Sequence, residues 1–114
     1  MNELDINELY DYYKSALNNM GTFLLTEKSE DVDYYVFEEF DGDCISFINF
    51  NTLSVLLNNG LICETTFNLS IELSNRFRNM EKTQLWNSES VKNDPQWLEI
   101  LIIADKIKSL LDIS

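Results

Sequence analysis

Apolar residues recur at intervals of three and four in the first twenty positions of the chain, crowd together in the middle, and return to helical spacing towards the end. Ile6, Leu9, Tyr10, Tyr13, Leu17 and Met20 share one face at 3.6 residues per turn. Asp5 and Glu8 stand three apart before that run, the spacing of a reciprocal capping box, and Gly21 ends it. The opposite face carries Glu8, Asp11 and Lys14, and residues 26–33 are polar and read as a loop. Leu53, Leu56 and Leu57 predict a short helix capped by Asn51 and terminated by Asn58-Asn59-Gly60. Leu69, Leu73, Phe77 and Met80 predict another from about Asn68, with Arg76 and Arg78 near its end, where positive charge complements the helix dipole. Asn87 to Asn93 reads as a polar connection. The last helix starts at Asn93 or Asp94 with Pro95 in its first turn, where the missing N–H does no harm. Its stripe of Trp97, Ile100, Leu101, Ala104, Ile107 and Leu111 is widened by Leu98, Ile102 and Ile103 to nearly the whole circumference, which predicts a central spine.

The crowded middle reads differently. Tyr34-Tyr35-Val36-Phe37-Glu38-Glu39-Phe40 and Cys44-Ile45-Ser46-Phe47-Ile48-Asn49-Phe50 are rich in β-branched and aromatic residues, and Asp41-Gly42-Asp43 separates them. Asp-Gly supplies the positive φ values of a tight type I′ turn, so the segment predicts an antiparallel hairpin. Two registers stay open. With Asp41-Gly42 as the loop, Val36 faces Phe47; with Gly42-Asp43, Phe40 faces Ile45 and Phe37 faces Ile48. The expected fold class is therefore α+β: a helix-dominated single domain over residues 1–114, with four or so helices packed around one β-hairpin.

Size and composition agree with one packed core. The chain has 114 residues, 45% of them hydrophobic, and includes seven Phe, five Tyr and two Trp. The start, Met1-Asn2-Glu3-Leu4-Asp5, lacks the basic residues and apolar run of a secretory signal, which predicts a cytoplasmic protein. The longest apolar stretch, Ile100 to Ala104, is far below the roughly 20 residues that span a bilayer. Cys44 and Cys63 show no metal-binding spacing and read as two reduced, core-packed thiols, with ordinary or raised pKa values beside Asp43 and Glu64.

Charge changes the picture most. The net charge is −12, and the first 64 residues carry 13 acidic side chains against two lysines, whereas the last 50 carry seven against six basic ones. Acidic residues are densest from Glu27 to Asp43, relieved only by Lys28. Like charges gathered in one stretch repel and cost stability, and their field attracts a cationic partner.

Catalytic chemistry finds little support. Without histidine the chain lacks the commonest general base and metal ligand. A carboxylate pair could cleave glycosides, but that needs a cleft with one carboxyl desolvated, and these acids sit beside an expected turn tip. Gly21, Gly42 and Gly60 are isolated and form no phosphate loop. Asp31-x-Asp33 and Asp41-x-Asp43 do not continue into a twelve-residue calcium loop. A nucleic-acid backbone would meet an anionic surface. The expectation is a protein that is not an enzyme and holds no cofactor or metal.

Binding remains. Tyr34 and Tyr35 stand beside the densest acids, and large amphipathic rings next to charges suit an interface, with area from the rings and steering from the carboxylates. The candidate partner-binding residues are Glu30, Asp31, Asp33, Tyr34, Tyr35, Glu38, Glu39, Asp41 and Asp43. Nucleases are basic because they bind phosphates, and an acidic protein can cover such a groove and exclude substrate.

The aromatic and acidic segment from Tyr34 to Phe50, the short Leu-rich helix closed by Asn58-Asn59-Gly60, the Leu69-Ser70, Leu73-Ser74, Phe77 repeat and the Trp97 to Ile107 helix resemble bacterial immunity proteins. The likeness is to those of contact-dependent growth inhibition and related polymorphic toxin systems, and it spans about residues 34–111. It implies a cytosolic protein that binds and neutralises a cognate toxin domain, frequently a nuclease, and it transfers no contact residue. Two alternatives share the acidic surface: a phage-type nuclease inhibitor that mimics nucleic acid, and an adaptor that recruits a basic protein without inhibiting it.

Overall fold

Where the sequence predicts a β-hairpin, the chain is helical. In the computed structural model, which describes residues 5–111, the order is α1 (Ile6–Leu17), a 3-10 turn (Thr22–Thr26), α2 (Ser29–Val32), a π-helical segment (Asp33–Phe40), α3 (Asp41–Phe47), α4 (Phe50–Asn58), α5 (Glu64–Met80), α6 (Ser88–Asn93) and α7 (Pro95–Leu110). No strand occurs among the described residues, so the expected α+β class is replaced by an all-helical one. Met1 to Leu4, read above for a leader, lie outside the described residues.

The predicted strands and their turn, up to Phe47, form the middle and end of one continuous helical run from Ser29, and Ile48 to Phe50 turn the corner into α4. Val32, Phe40 and Asp41, at the junctions, all have right-handed helical dihedral angles, and the Asp41 N–H donates to the Val36 carbonyl, five residues back. Packing decides the conformation. Val32, Val36, Phe40, Cys44 and Ile48 are all buried, at a strict interval of four. In an α-helix each step of four overshoots a full turn by about 40°, while the wider π turn falls short of one. Placing the π segment between two α segments cancels the drift and keeps all five residues against the core. Strand propensity, which mainly records how a side chain fits a half-buried pleated surface, is overridden by that ridge. Gly42 lies within the run on its exposed side, with nothing within 4 Å of where a Cβ would stand.

Beneath the ridge, Phe40 meets Phe77 of α5 edge to face at 4.8 Å, and Phe37 meets Trp86 at 4.9 Å and Trp97 of α7 at 6.1 Å. The Trp97 indole N–H donates to the Leu85 carbonyl at 2.7 Å, so the largest buried ring leaves no unpaired polar atom. α5 and α7 form the most extensive helix pair, and α1 packs on α3 and α4. The Tyr13 and Ser70 hydroxyls, 2.6 Å apart, tie α1 to α5 inside the core.

The predicted caps fall largely where expected. Asp5 accepts from the Glu8 N–H at 2.9 Å and Glu8 accepts in return from the Asp5 N–H. Asp94 caps α7 ahead of Pro95. After α4, Gly60 takes φ +75°, its N–H donates to Leu57 and the Leu61 N–H to Leu56, the paired bonds of a Schellman ending. Asn49, not Asn51, caps α4: its carbonyl oxygen accepts from the Thr52 N–H while its amide donates to the Ile45 and Ser46 carbonyls, so one side chain closes α3 and opens α4. Three other expectations are corrected. The polar loop of residues 26–33 and the polar connection of 87–93 both contain helix, and α5 begins at Glu64 instead of about Asn68. α7 is not apolar on a wholly buried circumference, because Leu98 and Ile102 are exposed.

Candidate functional site

The nine candidate residues all lie on the Ser29–Phe47 run, as successive faces of a helix and not as the rim of a turn. With the ridge turned inward, Glu30, Tyr34 and Glu38 form the outermost row, and Asp31 and Asp33 are exposed on either side of it. Tyr34 is 49% exposed. The Glu39 carboxylate, five residues on in the π segment, raises its phenol pKa. Tyr35, expected beside it on the contact surface, is turned towards the 3-10 turn and packs edge to face on Phe23 at 5.5 Å.

The lower rows are anchored to neighbouring helices. On one side Asp43 accepts from the amide of Asn19, just past the end of α1, at 3.4 Å, and burial followed by repulsion from Glu39 raises its pKa. On the other side Asp41 accepts from Arg78 of α5 at 2.8 Å, and Arg78 also reaches Glu81. Asp41 is therefore consumed by the fold. Among the described residues, Glu30, Asp31, Asp33, Glu38, Glu39 and Asp43 form no ion pair. Several cations lie elsewhere and are engaged: Arg76 bridges Glu72 at 2.8 Å and Glu99 at 2.7 Å, and Lys108 pairs with Asp105 at 3.7 Å.

A helix face is convex, so these carboxylates meet a surface and do not enclose a small molecule. Asp31 and Asp33, two apart, diverge across the helix, and Asp41 and Asp43 separate towards Arg78 and Asn19. No group of three or more Cys, Asp or Glu residues among the described ones converges as metal ligands. Two shallow concavities among the described residues lie away from the acidic face, one lined by Asn87, Glu89, Ser90, Asn93 and Asp94, another by Arg76, Asn79, Met80, Gln96, Glu99 and Ile100. Of the thiols, Cys44 is buried, which raises its pKa, while Cys63 is exposed at the start of α5.

Two large apolar residues escaped the sequence reading. Ile45 and Phe50, expected inside a hairpin, are 63% and 66% exposed at the α3–α4 corner. The signal that would have found them is the interval of four, which leaves position 45 one step off the buried ridge and position 50 beyond its end.

Compared with known protein families, with curated proteins and with solved structures, the chain has no match. No described helix is long and apolar enough to cross a membrane.

Proposed function

We propose that this chain binds and neutralises a basic toxin domain, most suitably a nuclease, through the outward face of the Ser29–Phe47 helix, as a cytoplasmic immunity protein and not an enzyme. One observation carries the reading: six carboxylates on that run have no cationic partner among the described residues, whereas the arginines of α5 and Lys108 of α7 are engaged by acids around them. Uncompensated repulsion is a cost to the folded chain that a basic partner relieves. Long-range attraction also speeds encounter and aligns the two surfaces, leaving the short-range contacts to set the dissociation rate.

The test is a capture of the tagged chain from cells expressing the neighbouring genes, at low and high salt, followed by a nuclease assay on the retained protein. The expected result is one basic protein whose activity this chain suppresses; a partner that stays fully active favours the adaptor. Asp31→Lys with Asp33→Lys should then slow association at least about tenfold and leave the thermal midpoint nearly unchanged. Both residues are exposed, and replacing them relieves repulsion while removing a favourable charge near the helix start. Unchanged affinity would remove the acidic face from the contact.

A further inference from the structure

The acidic run does not end in solvent but in an apolar corner. Asp33, Phe37, Asp41 and Ile45 follow one another at intervals of four along the run. Asp41 is tied to Arg78 at 2.8 Å and Cys44 to Ser74 at 3.6 Å, both on α5, and past the Asn49 corner Phe50, the first residue of α4, packs edge to face on Phe67 of α5 at 5.9 Å. Ile45, near the end of α3, belongs to the same corner, where the Asn49 amide donates to its carbonyl at 2.9 Å. The Ile45 and Phe50 side chains are more than half exposed, although both are large and apolar. On the other flank of α3, Phe47 stacks on Tyr12 of α1 at 5.0 Å, which extends the apolar end of the run.

We propose that Ile45 and Phe50 are the anchor of the partner contact, docking against an apolar surface on the same cationic protein that the acidic face attracts. The inference rests on the reading given under Proposed function and adds to it a division of labour: the carboxylates govern association and the corner governs dissociation. The occupant follows from charge. A second copy of this chain would bring two unpaired acidic rows together, and an anionic membrane would be repelled for the same reason. A basic protein with an apolar site bordered by lysine or arginine satisfies both parts of the surface. Interfaces typically place aromatic and aliphatic anchors at a desolvated centre and charge around it.

A photo-reactive phenylalanine analogue introduced singly at positions 34, 45, 50 and 98, in cells expressing the neighbouring genes, tests this. Leu98 is also an exposed apolar residue but belongs to α7. The expected result is adducts from positions 34, 45 and 50 with the same basic protein, identified by mass spectrometry and inhibited by this chain, and none from 98. With that protein purified, Phe50→Ser should accelerate dissociation at least about tenfold and change association less than about twofold. Adducts from position 34 without any from 45 or 50 leave the acidic reading standing and overturn the anchor. An adduct from 98 in place of 50, or one joining two copies of this chain, also overturns it. Silence at 34, 45 and 50 alike overturns the anchor together with the reading beneath it.

Discussion

Cys63 and Cys44 show how a residue's chemistry follows from its place in an element. Adjacent acids alone would disfavour both thiolates. Instead Cys63 is the N-cap of α5, within 3.3 Å of the Thr66 hydroxyl, and hydrogen bonding with that hydroxyl lowers its pKa. Cys44 goes the other way because it is buried. The buried thiol was legible from its neighbours along the chain, but the reactive one was not. The Leu69, Leu73, Phe77 spacing starts the helix too late, whereas the buried Thr66 and Ser70 that extend the face are polar and invisible to a hydrophobic pattern. Iodoacetamide at pH 8 should alkylate Cys63 at least about tenfold faster than Cys44 in the folded protein, since thiolate fraction and access both favour it. Peptide mapping over time measures the two rates, and equal rates would contradict this account.

At the scale of the element, Gly42 separates the two conformations that the middle segment could adopt. In a type I′ turn it would need positive φ, and alanine there would be strained. Within a helix, with open space where the Cβ would stand, alanine only removes conformational freedom from the unfolded chain. Gly42→Ala should therefore stabilise the protein by roughly 0.5–1 kcal/mol, read as a rise of about 3–6 °C in the thermal midpoint by circular dichroism. A fall would restore the hairpin. The two terminal helices and the end of α4 were legible because capping residues mark them: Asp5 with Glu8, Asp94 with Pro95, and Asn59 with Gly60. The central helix has no such start signal, since Lys28 at its N-cap makes no side-chain capping bond. Its period of four was hidden among Tyr34, Tyr35, Phe37, Ile45 and Phe47, apolar residues off the ridge that supplied a strand-like composition. The acidic cluster itself needed no conformation to be found; the fold carries it along one helical run, with Tyr35 packed on Phe23 and Asp41 paired with Arg78.

For the whole molecule, the net charge of −12 is unevenly compensated, which predicts opposite responses to salt for the fold and for association with the proposed basic partner. Glu39 and Asp43 stand about one turn apart as like charges, and neither has a cationic partner among the described residues. The helix bearing them is held by its buried ridge against that repulsion. Screening weakens interactions between exposed charges beyond a Debye length, about 14 Å at 50 mM and about 4 Å at 500 mM salt. Raising NaCl between those concentrations should lift the thermal midpoint of the free protein by a few degrees, about 2–5 °C. The same change should slow association with a basic partner, because there the screened interaction is attractive. Asp31→Lys with Asp33→Lys moves the net charge from −12 to −8 and should shrink both slopes. A protein whose acidic residues were merely a solvated coat would share the first response and lack the second. Thermal scans and stopped-flow association over one salt series therefore separate a surface that is only charged from one whose charge has a partner.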